Sequence, residues 1–296
     1  MTGDIGFIKP AEKIVAWGRP PAIVEREIET VANMYAGRLC SSGTTANEII
    51  VGAPATKQIL GWLGYEDTAL AYRPLTVDTI YAVNDRAALM FGGGFGVVGS
   101  LTPGVSVVPG DFLAPWVAGE LIPVIPRPQG WGIKIPYAVT TGAHATTATG
   151  VDIPLEMLVS DAEVIAVTTE AAGTIDVGFE NAVESGDLDG LLVALPLAAT
   201  GLVNAEVCGA AASPYGVHLA TPMTVVTSIS PAYPVIRRVY EVDRSTREVV
   251  YNGSAHNMTG FLVITCNGVG FEPVARAVEP MAASTSSQDI MAMSLI

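Results

Sequence analysis

IYAVNDRAALMFGGGFGVVGSLTPGVSVVPGDFLAPWVAGELIPV, residues 80–124, decides the fold class. Its short apolar runs are Val97–Val98, Val105–Val108, Phe112–Leu113 and Leu121–Val124, and turn signals stand between them at Thr102-Pro103-Gly104, Pro109-Gly110-Asp111 and Ala118-Gly119-Glu120. A helix interior loses about 1 kcal/mol per Gly and about 3 kcal/mol per Pro, so the segment reads as short strands joined by tight turns.

Upstream, MYAGRLC, NEIIVG and QILGWLGYED continue the strand pattern from Met34, with Ser41–Thr45 and Gly52-Ala53-Pro54 as turns. Residues 1–29 show no sustained periodicity and contain Gly18-Arg19-Pro20-Pro21, which favours extended backbone, so they read as an N-terminal arm. Val24–Ala32 (VEREIETVA), overlapping the end of that arm, reads as one helical turn or two, its three glutamates and one arginine as a solvated face rather than a site. Downstream, PVIPRPQGWG at 123–132 packs three prolines and two glycines and reads as a linker. Strands then resume at Ile133–Val139, Val151–Val159, Glu163–Thr169, Thr174–Phe179, Leu191–Leu195 and Gly260–Asn267. Val235–Val242 and Glu248–Asn252 flank Asp243–Thr246 as an antiparallel hairpin. The expected organisation is all-β: an arm over 1–29, a small β-barrel or β-tulip domain over 30–125, a jelly-roll-like β-sandwich over 133–275 and a C-terminal tail over 276–296.

Composition narrows the class of partner. Charged residues make up 15% of the chain and hydrophobic ones 50%, with a mean hydropathy of +0.43, which predicts apolar surface buried between copies or against a partner. Fifteen basic against 29 acidic residues give a net charge of −14, unsuited to nucleic acid or an anionic membrane. Cys40, Cys208 and Cys266 lack metal or disulfide spacing and read as buried reduced thiols. Residues 1–15 lack a basic region followed by an apolar one, so synthesis in a host cytoplasm is expected. Gly190–Ala205 is uncharged but short and interrupted by Pro196, and reads as a buried strand pair rather than a membrane span.

Several motifs imitate chemistry. Gly92–Gly96 contains a phosphate-loop look-alike with no Gly-Lys-Ser/Thr and no following helix, so it reads as a flexible hairpin tip. Gly104–Asp111 (GVSVVPGD) matches the G-x-x-V-x-x-G-D turn of barrel-sandwich folds such as lipoyl carriers, without a lysine at a hairpin tip. His144, His218 and His256 stand apart from any nucleophile or metal motif. Glu184–Gly190 (ESGDLDG) alternates acidic residues but lacks the remaining ligands of a calcium loop and reads as a solvated acidic loop. The sequons at Asn252 and Asn257 carry no weight without a secretory signal. No catalytic, cofactor-binding or metal-ligating residue is assigned, no cofactor is expected, and the chain is not read as an enzyme.

Two segments carry a family resemblance. AGRLC-SSGTTANEIIVG, ILGWLGYEDT, VNDRAALMFGGG and VSVVPGDFLAPWVAGELIPV within 35–124 resemble the small β-barrel or β-tulip of capsid decoration (head-cement) proteins. GTIDVGFENAVESGDLDGLLVALPLAATGLVNA at 173–205 and NMTGFLVITCNGVG at 257–270 resemble a β-domain of structural proteins of tailed bacteriophages and related archaeal viruses. The resemblance implies a virion structural protein on the outer surface of a capsid, binding across major capsid protein subunits, assembled as a homotrimer and contacting neither nucleic acid nor membrane. A head-fibre or tail adhesion module and a β-fold enzyme with an unrecognised site are the alternatives.

Overall fold

The computed structural model describes residues 14–52, 54, 57–65, 74, 76–128, 130–140, 146–154, 157–169, 172–180, 187–197, 200–204, 248–254 and 256–296. In chain order its strands are β1 Val15–Gly18, β2 Ala22–Ile28, β3 Leu39–Ser42, β4 Glu48–Val51, β5 Ile59–Leu63, β6 Arg86–Phe91, β7 Phe95–Leu101, β8 Phe112–Pro115, β9 Leu121–Arg127 and β10 Gly130–Val139. There follow β11 Thr147–Asp152, β12 Leu158–Thr168, β13 Thr174–Glu180, β14 Asp187–Pro196, β15 Gly201–Asn204, β16 Glu248–Gly253, β17 Met258–Asn267, β18 Ala275–Ala277 and β19 Gln288–Ser294. The fold is all-β. Strands β2, β4, β3, β5 and β6 form a closed barrel, beside a ten-stranded sheet ordered β1-β7-β19-β18-β8-β9-β10-β17-β12-β15 and a four-stranded sheet ordered β11-β16-β13-β14.

The barrel and the large sheet are joined by a two-stranded ribbon. β1 runs against β7, with Gly18 opposite Phe95, and β2 continues against β6, with Ala22 opposite Phe91. Between them Gly18-Arg19-Pro20-Pro21 lies across from Gly92-Gly93-Gly94. Gly18 has φ +102 and a Cβ there would stand 2.6 Å from the Gly94 carbonyl oxygen, so only glycine lets the ribbon change sheets at this point. The expected arm is therefore corrected over part of its length. Residues 1–13 lie outside the described ones, while β1 and β2 are ladder strands. The charges of VEREIETVA serve a sheet rather than a helical turn, since Arg86 on β6 meets Glu25 on β2 at 3.0 Å.

The chain end is also part of the core. The tail expected over 276–296 contains β19, which lies between β7 and β18 and buries Ile290, Met291 and Ala292. β8 then pairs with β18 and β9, and β9 returns to β7 through one parallel contact, Leu101 to Leu121, so β7, β19, β18, β8 and β9 make a second ring. The buried indole N–H of Trp62 on β5 donates to Ser294 Oγ at 3.1 Å, tying the first ring to the second. Composition could not signal this strand, because its partners are remote in sequence.

The expected linker is a hairpin. β9 and β10 pair with Gly130 opposite Arg127 and Trp131 opposite Pro126, and the ten-stranded sheet continues from one to the other. Gly130 has φ +144, and a Cβ there would stand 2.4 Å from Asn267 Oδ1; the Pro/Gly density reports this tight turn rather than a boundary. Beyond it, the end of the large sheet containing β10, β17, β12 and β15 packs on the four-stranded sheet as a sandwich. Ile133, Ile135, Tyr137 and Val139 are buried with Val177, Phe179, Val249 and Tyr251, and the Tyr251 hydroxyl donates to the Ala138 carbonyl at 3.1 Å. Three local expectations change here. Val151–Val159 is split at Ile153-Pro154 between β11 and β12, which belong to different sheets. The strands within Gly190–Ala205 do not pair together, since β14 joins β13 and β15 joins β12. The first arm of the hairpin expected over Val235–Asn252 lies outside the described residues, and β16 takes β11 and β13 as its two neighbours.

Replacing Ser294 with Ala is expected to lower unfolding free energy by about 1–3 kcal/mol in urea titration, because it leaves the buried Trp62 N–H without an acceptor. No change would mean that the ring junction does not depend on this bond.

Candidate interaction site

The residues weighed for chemistry are dispersed. His144, His218 and Cys208 lie outside the described residues. His256 Nδ1 is 3.2 Å from Ser254 Oγ, but that oxygen also accepts the Thr174 N–H at 2.7 Å and lies 3.3 Å from the Thr174 carbonyl, so the pair fastens the turn between β16 and β17 to β13. Cys40 and Cys266 are buried, and burial pushes the Cys40 thiol up to about 12, far from a reactive thiolate. Glu184–Gly186 lies outside the described residues, whereas Asp187–Gly190 opens β14, so that part of the expected acidic loop has strand backbone. Among the described residues no three His, Cys, Asp or Glu side chains converge as a metal site.

The glycine look-alikes acquire structural roles. The N–H groups of Gly93 and Gly94 donate to the carbonyls of Ile296 and Ser294 at 2.7 and 2.9 Å, so these amides hold the end of β19 instead of an anion, and the stretch is an anchored corner rather than a free hairpin tip. In Gly104–Asp111 the final carboxylate accepts the Val108 N–H at 3.0 Å and Lys134 Nζ at 2.9 Å, closing the turn onto β10.

Charges converge on one face of the sandwich. Arg127 on β9 reaches across β10 and β17 to pair with Glu163 on β12. Gly132 makes room for it, since a Cβ there would stand 2.5 Å from Val263 Cγ1 and 3.3 Å from Arg127 Cγ. Lys134 lies on the same sheet, its Nζ 4.6 Å from the Phe261 ring centroid. Burial raises the Glu163 carboxyl pKa; Arg127 opposes the shift and Asp161 adds to it. Burial likewise raises Asp161, opposed by the Ala162 N–H and by Arg127. In the other sheet Asp152 stands opposite Glu248, and its carboxyl is raised by burial and then by that neighbour. The Arg127–Glu163 and Lys134–Asp111 pairs knit strands together.

A different kind of site lies at the barrel end away from the ribbon. Two turns meet there, one over Val31-Ala32-Asn33 after β2 and one over Ala82-Val83-Asn84 before β6. Asn33 and Asn84 have φ +59 and +64, a conformation asparagine adopts more readily than bulkier residues. The turns are locked together: Tyr81 N–H donates to the Met34 carbonyl, and Asn84 N–H to the Ile28 carbonyl, both at 2.9 Å. Met34 and Tyr81 are fully buried beneath them, while Val31 and Val83 are 43% and 48% exposed. Neighbouring carboxylates are engaged by the loops: Asp85 Oδ2 accepts the Ala82 N–H at 2.7 Å, and Glu29 accepts the Thr44 N–H and hydroxyl. The result is a fixed tip with apolar side chains outward, of the kind that needs no ordering before it meets another surface. Sequence reading passed over it, although the signal was present: two small apolar pairs, each followed by asparagine and each beside a strand end.

No protein-family model matches the chain, and no curated protein matches it significantly. No helix among the described residues is long and apolar enough to cross a membrane.

The raised carboxyls give a pH prediction with a definite sign. A carboxyl whose folded pKa exceeds its unfolded value favours the folded state when protonated, and that benefit is lost as pH rises from the ordinary carboxylate range through the raised value. Asp161→Asn keeps the acceptor for the Ala162 N–H and removes the buried charge. The variant is expected to be more stable than wild type near neutral pH and to converge with it below the ordinary carboxylate range, as read by urea unfolding at a series of pH values. A variant less stable at neutral pH would show that the attraction to Arg127 outweighs burial.

Proposed function

We propose that this chain is a virion structural protein that decorates the outer surface of a capsid and stabilises it by bridging major capsid protein subunits, with its copies grouped as trimers. The observation that carries the reading is the apolar barrel tip formed by Val31, Ala32, Ala82 and Val83, held rigid by the backbone bonds between its turns. A shell-binding protein needs a footing that gains free energy on contact without first losing conformational entropy, and a preorganised apolar tip supplies it. The charge balance of −14 supports the outer surface over the DNA-filled interior, because it repels the packaged polyanion. The strand patterns that resemble cement proteins support the same reading.

The test adds wild-type protein and the Val31→Glu/Val83→Glu variant to capsid shells assembled without it, then measures bound copies and the temperature at which DNA is released. Burying a valine contributes about 1.5–3 kcal/mol, so the double variant should bind at least about tenfold more weakly while melting as wild type does. Equal occupancy for the two would remove the tip from the mechanism. Failure of wild type to bind any shell would overturn the capsid reading itself.

A further inference from the structure

The described cations differ in their partners: Arg26 and Lys57 donate to the backbone carbonyls of Glu25 and Ser42, and others face a carboxylate. Arg38, Arg86, Arg127 and Lys134 each face a carboxylate, namely Glu120, Glu25, Glu163 and Asp111. Arg276 on β18 has no carboxylate among the described residues; its exposed guanidinium lies over the Phe112 ring, 4.2 Å from the centroid. Stacking holds the group in place and leaves its N–H edge available for an acceptor. Phe112 in turn meets Trp131 at 5.7 Å between centroids and 60° between planes, and both rings are only partly buried. Val108, 53% exposed, stands in the turn that leads into β8. Arginine beside tryptophan and phenylalanine is the composition of an interface centre, where a fixed cation and apolar rings are covered together.

We propose that the Val108–Phe112–Trp131–Arg276 strip is the surface through which a second copy of this chain docks, with a carboxylate of that copy accepting from Arg276. Charge complementarity selects this occupant. The cation requires an acidic surface next to apolar contact, and a chain with 29 acidic residues against 15 basic ones presents acidic surface on every copy. A nucleic acid is disfavoured by the same balance. The docking rests on the trimer reading above: in a ring of three the contact is head to tail, the strip of one copy meeting an acidic surface of the next. The strip lies on β18, β8 and β10 and is distinct from the barrel tip proposed for shell binding.

Sedimentation velocity over a concentration series tests this with the full chain. Wild type is expected to self-associate. Arg276→Glu should raise the dissociation constant at least about tenfold, and Arg276→Gln less, with melting temperatures unchanged. The Val31→Glu/Val83→Glu variant should associate as wild type does, which keeps this proposal separable from the shell-binding one. A monomeric wild type, or equal association of Arg276→Glu and wild type, overturns it. If wild type is monomeric and Arg276→Glu loses binding to shells, the strip belongs to the shell contact and the second copy is excluded as its occupant.

Discussion

The structure depends on one strand reaching its slot. β19 pairs with β7 along Gln288–Met293 and with β18 along Ala292–Ser294. Its two ends are fixed by groups from elsewhere in the chain. At the leading end Ser287 Oγ donates to Glu120 Oε1 at 2.5 Å, and Arg38 Nη1 meets the same oxygen at 2.6 Å. At the trailing end the Trp62 indole and the Gly93 and Gly94 amides bind Ser294 and Ile296. The junction between the two rings is therefore made of a strand, a buried ion pair and a buried indole that must all be in place together. A buried ion pair missing one partner costs several kcal/mol, because the remaining charge is left without compensation. Closing contacts between residues so far apart in sequence delays their reward until the long intervening chain is ordered, which predicts slow folding for this topology.

The same economy governs the rest of the charge. A chain with about twice as many acids as bases would be expected to display its cations, yet Arg38, Arg127 and Lys134 lie largely inside, each drawn to a carboxylate and each crossing strands. Arg127 and Lys134 do so with their aliphatic stems laid on a sheet face, so each covers apolar surface as well as neutralising an acid. Among the described residues the large apolar side chains left outside are mostly valines, while the chain as a whole is acidic. Two such surfaces repel at long range, and contact between them has to be won over short distances by apolar fit and by the few cations left facing solvent.

Much of this was legible in the sequence. The turn glycines and prolines gave β5, β8, β9, β10, β13 and β17 close to their observed positions, because period and turn chemistry are local properties. What local pattern could not give was partnership. GLLVALPLAATGLVN reads equally well as a hairpin and as two strands in different sheets, and the register of β15 against β12 settles the matter only in three dimensions. PVIPRPQGWG reads as a linker because a linker and a proline-flanked hairpin share a composition. QDIMAMS reads as a tail because its alternation is masked by small side chains, Ala292 and Ser294, that serve close packing and hydrogen bonding. The barrel tip was missed for a related reason: Val31 and Val83 become one surface only when β2 and β6 are paired.

The glycines show most directly why close approach, rather than turn formation alone, fixes this arrangement. A Cβ at Gly119 would stand 2.5 Å from the Leu39 carbonyl oxygen, and one at Gly37 2.4 Å from that of Val98. Each of these pairs brings backbone of one ring against backbone or loop of the other, at separations no side chain permits. Gly260 does the same in the sandwich, where a Cβ would stand 2.0 Å from the Ile165 carbonyl and 2.8 Å from the Tyr137 ring. Contacts of this kind tolerate almost no relative sliding, because displacement by a fraction of an ångström converts fit into overlap. The rings and the sandwich are thus held at fixed spacing by absent side chains, as much as β19 holds them by present ones. Rigidity of that origin belongs to the backbone, so it survives changes in the outward-facing residues, those of the barrel tip and the Arg276 strip included.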